Sequence, residues 1–137
     1  MTAIDRLVER CPGTGPVLLD GPDAAELAEA FGRRGRTCQA WPPDDGARPF
    51  DAAVCAGWRW RGAEAEHRRY LAGIRRRLRV DGVLVVDQAP PDGKVDALSG
   101  YAGHVRSYPP TELAALVRAA GFRVEELVLT AAAPWAP

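Results

Sequence analysis

The sequence VDGVLVVD, residues 80–87, decides the fold class of this chain. Its unbroken apolar run from Val83 to Val86 is typical of a strand that is buried on both faces of a parallel sheet. The preceding segment, residues 64–79, predicts a helix whose inward face carries four residues: His67, Leu71, Ile74 and Leu78. Such a helix, followed directly by a buried strand, indicates a βαβ unit.

The same alternation continues toward both ends of the chain. Further strands are predicted over residues 16–20, 36–41, 50–56 and 122–129. Further helices are predicted over residues 2–10 and 111–120. Another begins at Ala24, carries Leu27, Ala28 and Phe31 on the same apolar face, and ends at Gly32 or Gly35. We therefore expect one α/β domain over residues 1–137, with a doubly wound, mainly parallel, Rossmann-like sheet of about five strands. Numbered along the chain, the strands should lie in the sheet in the order second, first, third, fourth, fifth. Residues 131–137 should be a frayed tail.

Composition and charge exclude several classes of protein. Hydrophobic residues make up 47% of the 137 residues and charged residues 26%, as in ordinary globular domains. Eighteen basic and eighteen acidic residues cancel, so we expect neither nucleic acid nor an anionic membrane as a partner. No apolar run reaches the roughly 18 residues of a membrane span. Since the first ten residues also lack an apolar signal core, we expect a cytoplasmic protein.

The cysteines and histidines predict no metal site. Cys11, Cys38 and Cys55 are widely spaced and form no C-x-x-C pair, while His67 and His104 are isolated. We expect free thiols in a reducing compartment.

Three segments resemble the class I methyltransferases that use S-adenosylmethionine. Residues 50–54 (FDAAV) are similar to the family's fourth strand, and residues 74–86 (IRRRLRVDGVLVV) to its helix, turn and fifth strand. Residues 108–124, from YPPTEL to AAGFRV, resemble a capped helix and strand common in small-molecule methyltransferases. The resemblance implies a minimal methyltransferase-like fold, because the spacing leaves no room for an element at each edge of the family's sheet.

The cofactor-binding half departs from the family's pattern. Its first strand normally ends in an acid followed by a Gly-x-Gly-x-Gly turn, whereas here the sequence is Asp20-Gly21-Pro22-Asp23. Pro22 removes a backbone donor where the resemblance places the cofactor. Trp41 stands where the second strand should end in an acid. The resemblance therefore implies weak or absent binding of S-adenosylmethionine.

A second similarity, to P-loop nucleoside kinases, lacks the phosphate-binding motif of that family. Residues 17–23 (VLLDGPD) resemble the opening of such kinases, but residues 21–28 contain no second glycine, no lysine and no hydroxyl residue. The phosphate-binding motif needs all of these, so we do not expect kinase activity.

Ligands of open α/β sheets bind at the carboxyl ends of the strands, which defines the candidate residues. The cofactor-side candidates share a place at a strand end: Asp20, Gly21, Asp23, Trp41, Gly57 and Trp58. The substrate-side candidates lie on the loops that follow: Trp60, Arg61, Asp87 and His104. The run Trp58-Arg59-Trp60-Arg61 either stacks on a flat ring and pairs with an anion or fills the trimmed edge of the sheet. Asp20 either binds a ligand or caps the next helix.

Two hypotheses of function remain open, and neither has an identified catalytic residue. In the first, the chain is a degenerate methyltransferase-like module that binds a small ligand, a partner protein or a second copy. In the second, it is an active methyltransferase for a small metabolite. Loss of edge elements leaves strand 36–41 uncovered, which favours a homodimer anchored by Trp41, Trp58 and Trp60. The alternative is that Ile4, Leu7 and Val8 of the first helix cover that edge.

Overall fold

The computed structural model describes residues 2–44, 46, 49–88 and 105–125. The helices are α1 (Ala3–Glu9), α2 (Ala24–Arg33), α3 (Glu64–Arg77) and α4 (Pro110–Ala119). The strands are β1 (Val17–Asp20), β2 (Cys38–Ala40), β3 (Phe50–Trp58), β4 (Trp60–Arg61), β5 (Leu78–Gln88) and β6 (Val105–Arg106). The chain forms two compact units: Met1–Trp58 with Arg76–Gln88 (unit 1), and Arg59–Arg75 with Ala89–Pro137 (unit 2).

Unit 1 is built on a parallel sheet of α/β type. The strand order is β2-β1-β3-β5, so the predicted order of the first four strands is confirmed. Between β3 and β5 the register moves from Phe50↔Leu78 to Ala52↔Val83, which marks a bulge around Gly82. In the described part of the chain, β5 is the last strand on its side. The prediction of a further strand over 122–129 is wrong for residues 122–125, and residues 126–129 lie outside the described residues.

The core of unit 1 lies where α1 and α2 pack against one face of the sheet. Val17, Leu19 and Val54 point to that face and join a buried cluster with Val8 and Phe31. Side chains of the opposite face, such as Leu18 and Cys55, are also buried. Burial on both faces explains why these strands are continuous apolar runs rather than alternating ones.

Helix α1 begins as its sequence predicts. The amide of Asp5 donates to Oγ1 of Thr2 at 3.1 Å, and the amide of Thr2 donates to Oδ2 of Asp5 at 3.2 Å, which completes a capping box. In α2 the buried face carries Ala30 in place of Ala28, which is exposed. The three cysteines are free thiols.

A buried ionic network fixes the loop between α1 and β1. Asp51 accepts a hydrogen bond from the amide of Gly15 at 2.6 Å and lies 3.7 Å from Nη2 of Arg36. Arg36 donates to the carbonyl oxygen of Cys11 at 2.6 Å, and Nε of Arg79 lies 3.1 Å from Oδ1 of Asp51. Arg36 is 8% and Asp51 7% exposed. The network satisfies two charged groups that could not be buried alone.

Unit 2 contains an antiparallel pair that sequence patterns do not predict. β4 pairs with β6 through Trp60↔Arg106 and Arg61↔Val105. No strand is predicted from the sequence over residues 105–106, and residues 89–104 lie outside the described residues. Helix α4 ends where predicted, since Gly121 has φ +99° and its amide donates to the carbonyl oxygen of Arg118 at 2.9 Å. No helix among the described residues is long and apolar enough to cross a bilayer.

Candidate functional site

The strand order of unit 1 creates a switch point at the carboxyl edge of its sheet. From β1 the chain crosses to β2 on one side, and β3 then lies on the other side of β1. The ladders place Asp20 opposite Cys55, and Asp87 opposite Ala56. The edge between β1 and β3 is the place where open α/β sheets bind ligands.

The turn after β1 requires a glycine. Gly21 has φ +100°, and a Cβ built on it would collide with the backbone carbonyl oxygen of Ala56. Its amide donates to Oδ1 of Asp20 at 2.8 Å. This oxygen of Asp20 therefore stabilises its own turn. The sequence left two interpretations of Asp20 open, binding a ligand or capping the next helix, and this hydrogen bond to Gly21 belongs to neither of them.

The end of β3 is packed directly against that turn. Gly57 has φ +65°, and a Cβ built on it would lie 2.9 Å from Oδ2 of Asp23 and 3.1 Å from Cγ of Pro22. The amide of Gly57 points elsewhere and donates to Oδ2 of Asp87 at 3.3 Å. Pro22 and Asp23 thus occupy the space in front of the β3 backbone at the switch point.

The carboxyl edge is acidic and carries two tryptophans. The three carboxylates are those of Asp20, Asp23 and Asp87. Asp23 is the N-cap residue of α2 but its side chain makes no capping hydrogen bond. Across the described residues, no group of three or more histidines, cysteines or acids could hold a metal ion. Trp41 follows β2 and Trp58 ends β3 opposite Gln88, and both are partly buried.

The structure thus brings together most of the cofactor-side candidates at one sheet edge. Asp20, Gly21, Asp23, Gly57 and the substrate-side candidate Asp87 are linked by the contacts above. The amide of Trp41 donates to the carbonyl oxygen of Leu19 at 2.8 Å, which fixes the start of the loop after β2. His104 lies outside the described residues.

Two substrate-side candidates belong to unit 2 and are described with it. Trp60 is 1% exposed, and its ring lies 5.0 Å from that of His67 and 5.7 Å from that of Tyr108. The side chain of Arg61 is exposed, while its carbonyl oxygen lies 2.9 Å from Nε2 of His67. The indole of Trp60 is therefore a core group of unit 2.

A buried histidine–tyrosine pair is the feature of unit 2 that sequence analysis missed. His67 was expected on the inward face of its helix and is 3% exposed, which confirms its predicted burial. Its partner is Tyr108, whose hydroxyl lies 2.6 Å from Nδ1 of His67. The carbonyl oxygen of Arg61 can only accept, so Nε2 carries a proton, and in the neutral form of the ring Nδ1 then accepts from the Tyr108 hydroxyl. No local pattern in the segment around Tyr108 points to this partnership.

Comparison with known proteins found no matching family model, no matching curated protein sequence and no matching solved structure.

Proposed function

We propose that this chain is a Rossmann-like, methyltransferase-like domain that has lost methyl transfer and acts as a protein-interaction module. It joins a second copy of itself through β2. A small ligand at the acidic carboxyl edge is compatible with this role. The single observation that carries the proposal is the edge of the sheet at β2, beside which the described residues place no further strand. The packing at the switch point supports the loss of methyl transfer.

The edge at β2 exposes backbone groups suited to pairing with another strand. Since the amide of Trp41 donates to Leu19 on β1, alternation along the strand directs the amides and carbonyls of Cys38 and Ala40 away from β1. In the described part of the chain, β2 is the last strand on this side of the sheet. Such edges are templates for pairing unless they are covered.

The first helix lies elsewhere, which weakens the alternative that it covers this edge. Ile4, Leu7 and Val8 pack into the core of unit 1 beside α2. Trp41 and the exposed Pro42 remain beside β2 as apolar contact groups. Trp60 was also expected to anchor a dimer. That expectation is wrong, because its ring is buried in unit 2.

The packing at the switch point supports weak or absent binding of S-adenosylmethionine. A methyltransferase cofactor needs close approach to the backbone at the ends of β1 and β3. Here Pro22 and Asp23 lie against Gly57, and Gly21 lies against Ala56. Pro22 also offers no amide donor. We infer that cofactor binding is weak or absent.

Active methyl transfer is the second candidate function, because the glycines and aspartates of this edge stand at the position of a ligand site. Calorimetric titration with S-adenosylmethionine and S-adenosylhomocysteine separates the two functions. We expect no saturable heat from either compound. A micromolar dissociation constant together with methyl transfer to a metabolite would establish the enzyme instead. In that case Asp20→Ala and Asp23→Ala should abolish the binding.

A further inference from the structure

Unit 2 contains a cluster of aromatic rings that the proposed function does not use. Its members among the described residues are Trp60, His67, Tyr70 and Tyr108, which we call the ring cluster. Trp60 is 1%, Tyr108 2% and His67 3% exposed, whereas Tyr70 is only partly buried. The ring cluster therefore extends from the core of unit 2 to its surface.

Trp60 lies in contact with both tyrosine rings. Its ring centroid is 6.2 Å from that of Tyr70 and 5.7 Å from that of Tyr108, and both pairs meet edge to face. Indole and phenol rings are among the side chains that lose a single electron most readily, and electrons cross a direct ring contact much faster than a wider gap. Trp60 thus connects the phenol at the surface with the phenol in the core.

The buried phenol has a proton acceptor already in place. The hydroxyl of Tyr108 lies 2.6 Å from Nδ1 of His67, which carries the lone pair in the neutral ring. A phenol that loses an electron becomes a strong acid, and its proton passes to a base within hydrogen-bond distance. The imidazolium that forms has both N–H groups bonded, one to the oxygen of Tyr108 and the other to the carbonyl oxygen of Arg61. Such bonds are what a buried charge requires.

We propose that the ring cluster is a one-electron sink, which carries an oxidising equivalent from the surface of unit 2 to Tyr108. A free-radical oxidant, such as the carbonate radical anion, takes one electron from Tyr70. Tyr70 releases its hydroxyl proton to water and regains both electron and proton when Trp60 reduces it.

The oxidising equivalent then comes to rest in the core. Trp60 gains one electron from Tyr108, whose hydroxyl proton moves to Nδ1 of His67. The products are a neutral phenoxyl radical and an imidazolium. Burial keeps this radical from water and from other radicals. A thiolate later returns one electron to Tyr108 and becomes a thiyl radical, and the proton moves back from Nδ1.

The test is flash photolysis of the full chain, with tris(bipyridine)ruthenium as the photo-oxidant and a cobalt pentaammine complex as the quencher. In the parent, electron paramagnetic resonance should detect a tyrosyl radical whose oxygen accepts an exchangeable hydrogen bond. Because a proton moves with the electron, this radical should form more slowly in D₂O than in H₂O. A radical without the exchangeable hydrogen bond, or with equal rates in the two solvents, would overturn the proposal.

Matched variants assign the path to named rings. Tyr108→Phe should lose the hydrogen-bonded radical, while Tyr101→Phe, which also removes one tyrosine, should retain it. Tyr70→Phe should slow formation of the radical, because the oxidant must then reach the buried ring of Trp60. A Tyr108→Phe protein with the same radical, or a Tyr70→Phe protein with the parent's rate, would refute the path. Since no member of the ring cluster belongs to β2, its failure would leave the proposed pairing through β2 standing.

Discussion

The hydroxyl of Tyr108 lies 2.6 Å from Nδ1 of His67, although the two residues are far apart in the sequence and almost fully buried. Tyr108→Phe removes the donor and leaves Nδ1 without its hydrogen bond in the core of unit 2. We expect the free energy of unfolding to fall by about 1–3 kcal/mol, measured by chemical denaturation.

The tautomer of His67 provides an independent check of that bond. The ¹⁵N chemical shifts of the ring at neutral pH should report a proton on Nε2 and a lone pair on Nδ1. A proton on Nδ1, or a Tyr108→Phe variant as stable as the parent, would contradict the described hydrogen bonds.

The charge on Asp51 is required by its buried surroundings. Asp51→Asn keeps the shape of the side chain but leaves Arg36, which is 8% exposed, without its carboxylate. We expect a loss of about 3 kcal/mol in unfolding free energy. Asp81→Asn is the control. Arg79, which contacts Asp51, also lies 3.4 Å from Asp81, but the side chain of Asp81 is 81% exposed. Its effect should stay within about 0.5 kcal/mol, and equal effects of the two changes would refute the network.

Two glycine-to-alanine changes should have opposite signs. Gly21→Ala places a methyl group against the carbonyl oxygen of Ala56 at φ +100°, and should destabilise unit 1 by about 2 kcal/mol or more. Gly32→Ala lies inside α2 with no neighbouring atom within 4 Å of the new methyl group. It should stabilise the protein by about 0.5–1 kcal/mol. Thermal denaturation of both variants measures the contrast, and a tolerated Gly21→Ala would argue against the close packing of β1 and β3 ends.

The thiol of Cys11 should make stability depend on alkaline pH. Burial raises the pKa of Cys11 to about 11, and burial also raises the pKa of Cys38. Between pH 9 and 11 the unfolded chain releases the Cys11 proton and the folded chain keeps it. Stability therefore falls as pH rises through that window, by on the order of 2 kcal/mol from this group.

The Cys11→Ser variant isolates this contribution. It retains a donor for the carbonyl oxygen of Leu7, which the Cys11 thiol contacts at 3.4 Å, but does not titrate in this range. The slope of unfolding free energy against pH should be shallower in Cys11→Ser than in the parent. Identical slopes would show that Cys11 is not held protonated by burial.

Local patterns were sufficient for the four described helices and for the order of the first four predicted strands. The capping box of Thr2 and Asp5 depends on neighbours three residues apart, and the burial of His67 follows from its helical spacing with Leu71 and Ile74. The strand ends Asp20, Gly57 and Asp87 were expected at one edge because parallel strands end there together.

Contacts between distant segments could not be predicted in this way. The pairing of Trp60 with Arg106 and of His67 with Tyr108 depends on where remote segments dock. Asp51 was the one available signal for the ionic network, since an acid inside an apolar strand needs a buried partner. Whether the switch point is filled depends on the packing of Pro22 against Gly57, which no periodicity encodes.

Sedimentation equilibrium of the pure protein at micromolar concentration tests the central claim, pairing through β2, most directly. We predict a mass of twice the 14.8 kDa chain. Ala40→Pro removes an outward amide without breaking the ladder to β1, and should weaken self-association by about tenfold or more. Ala40→Ser keeps that amide and should associate like the parent. A 14.8 kDa monomer at every concentration, or an Ala40→Pro protein that associates as the parent does, would contradict the account.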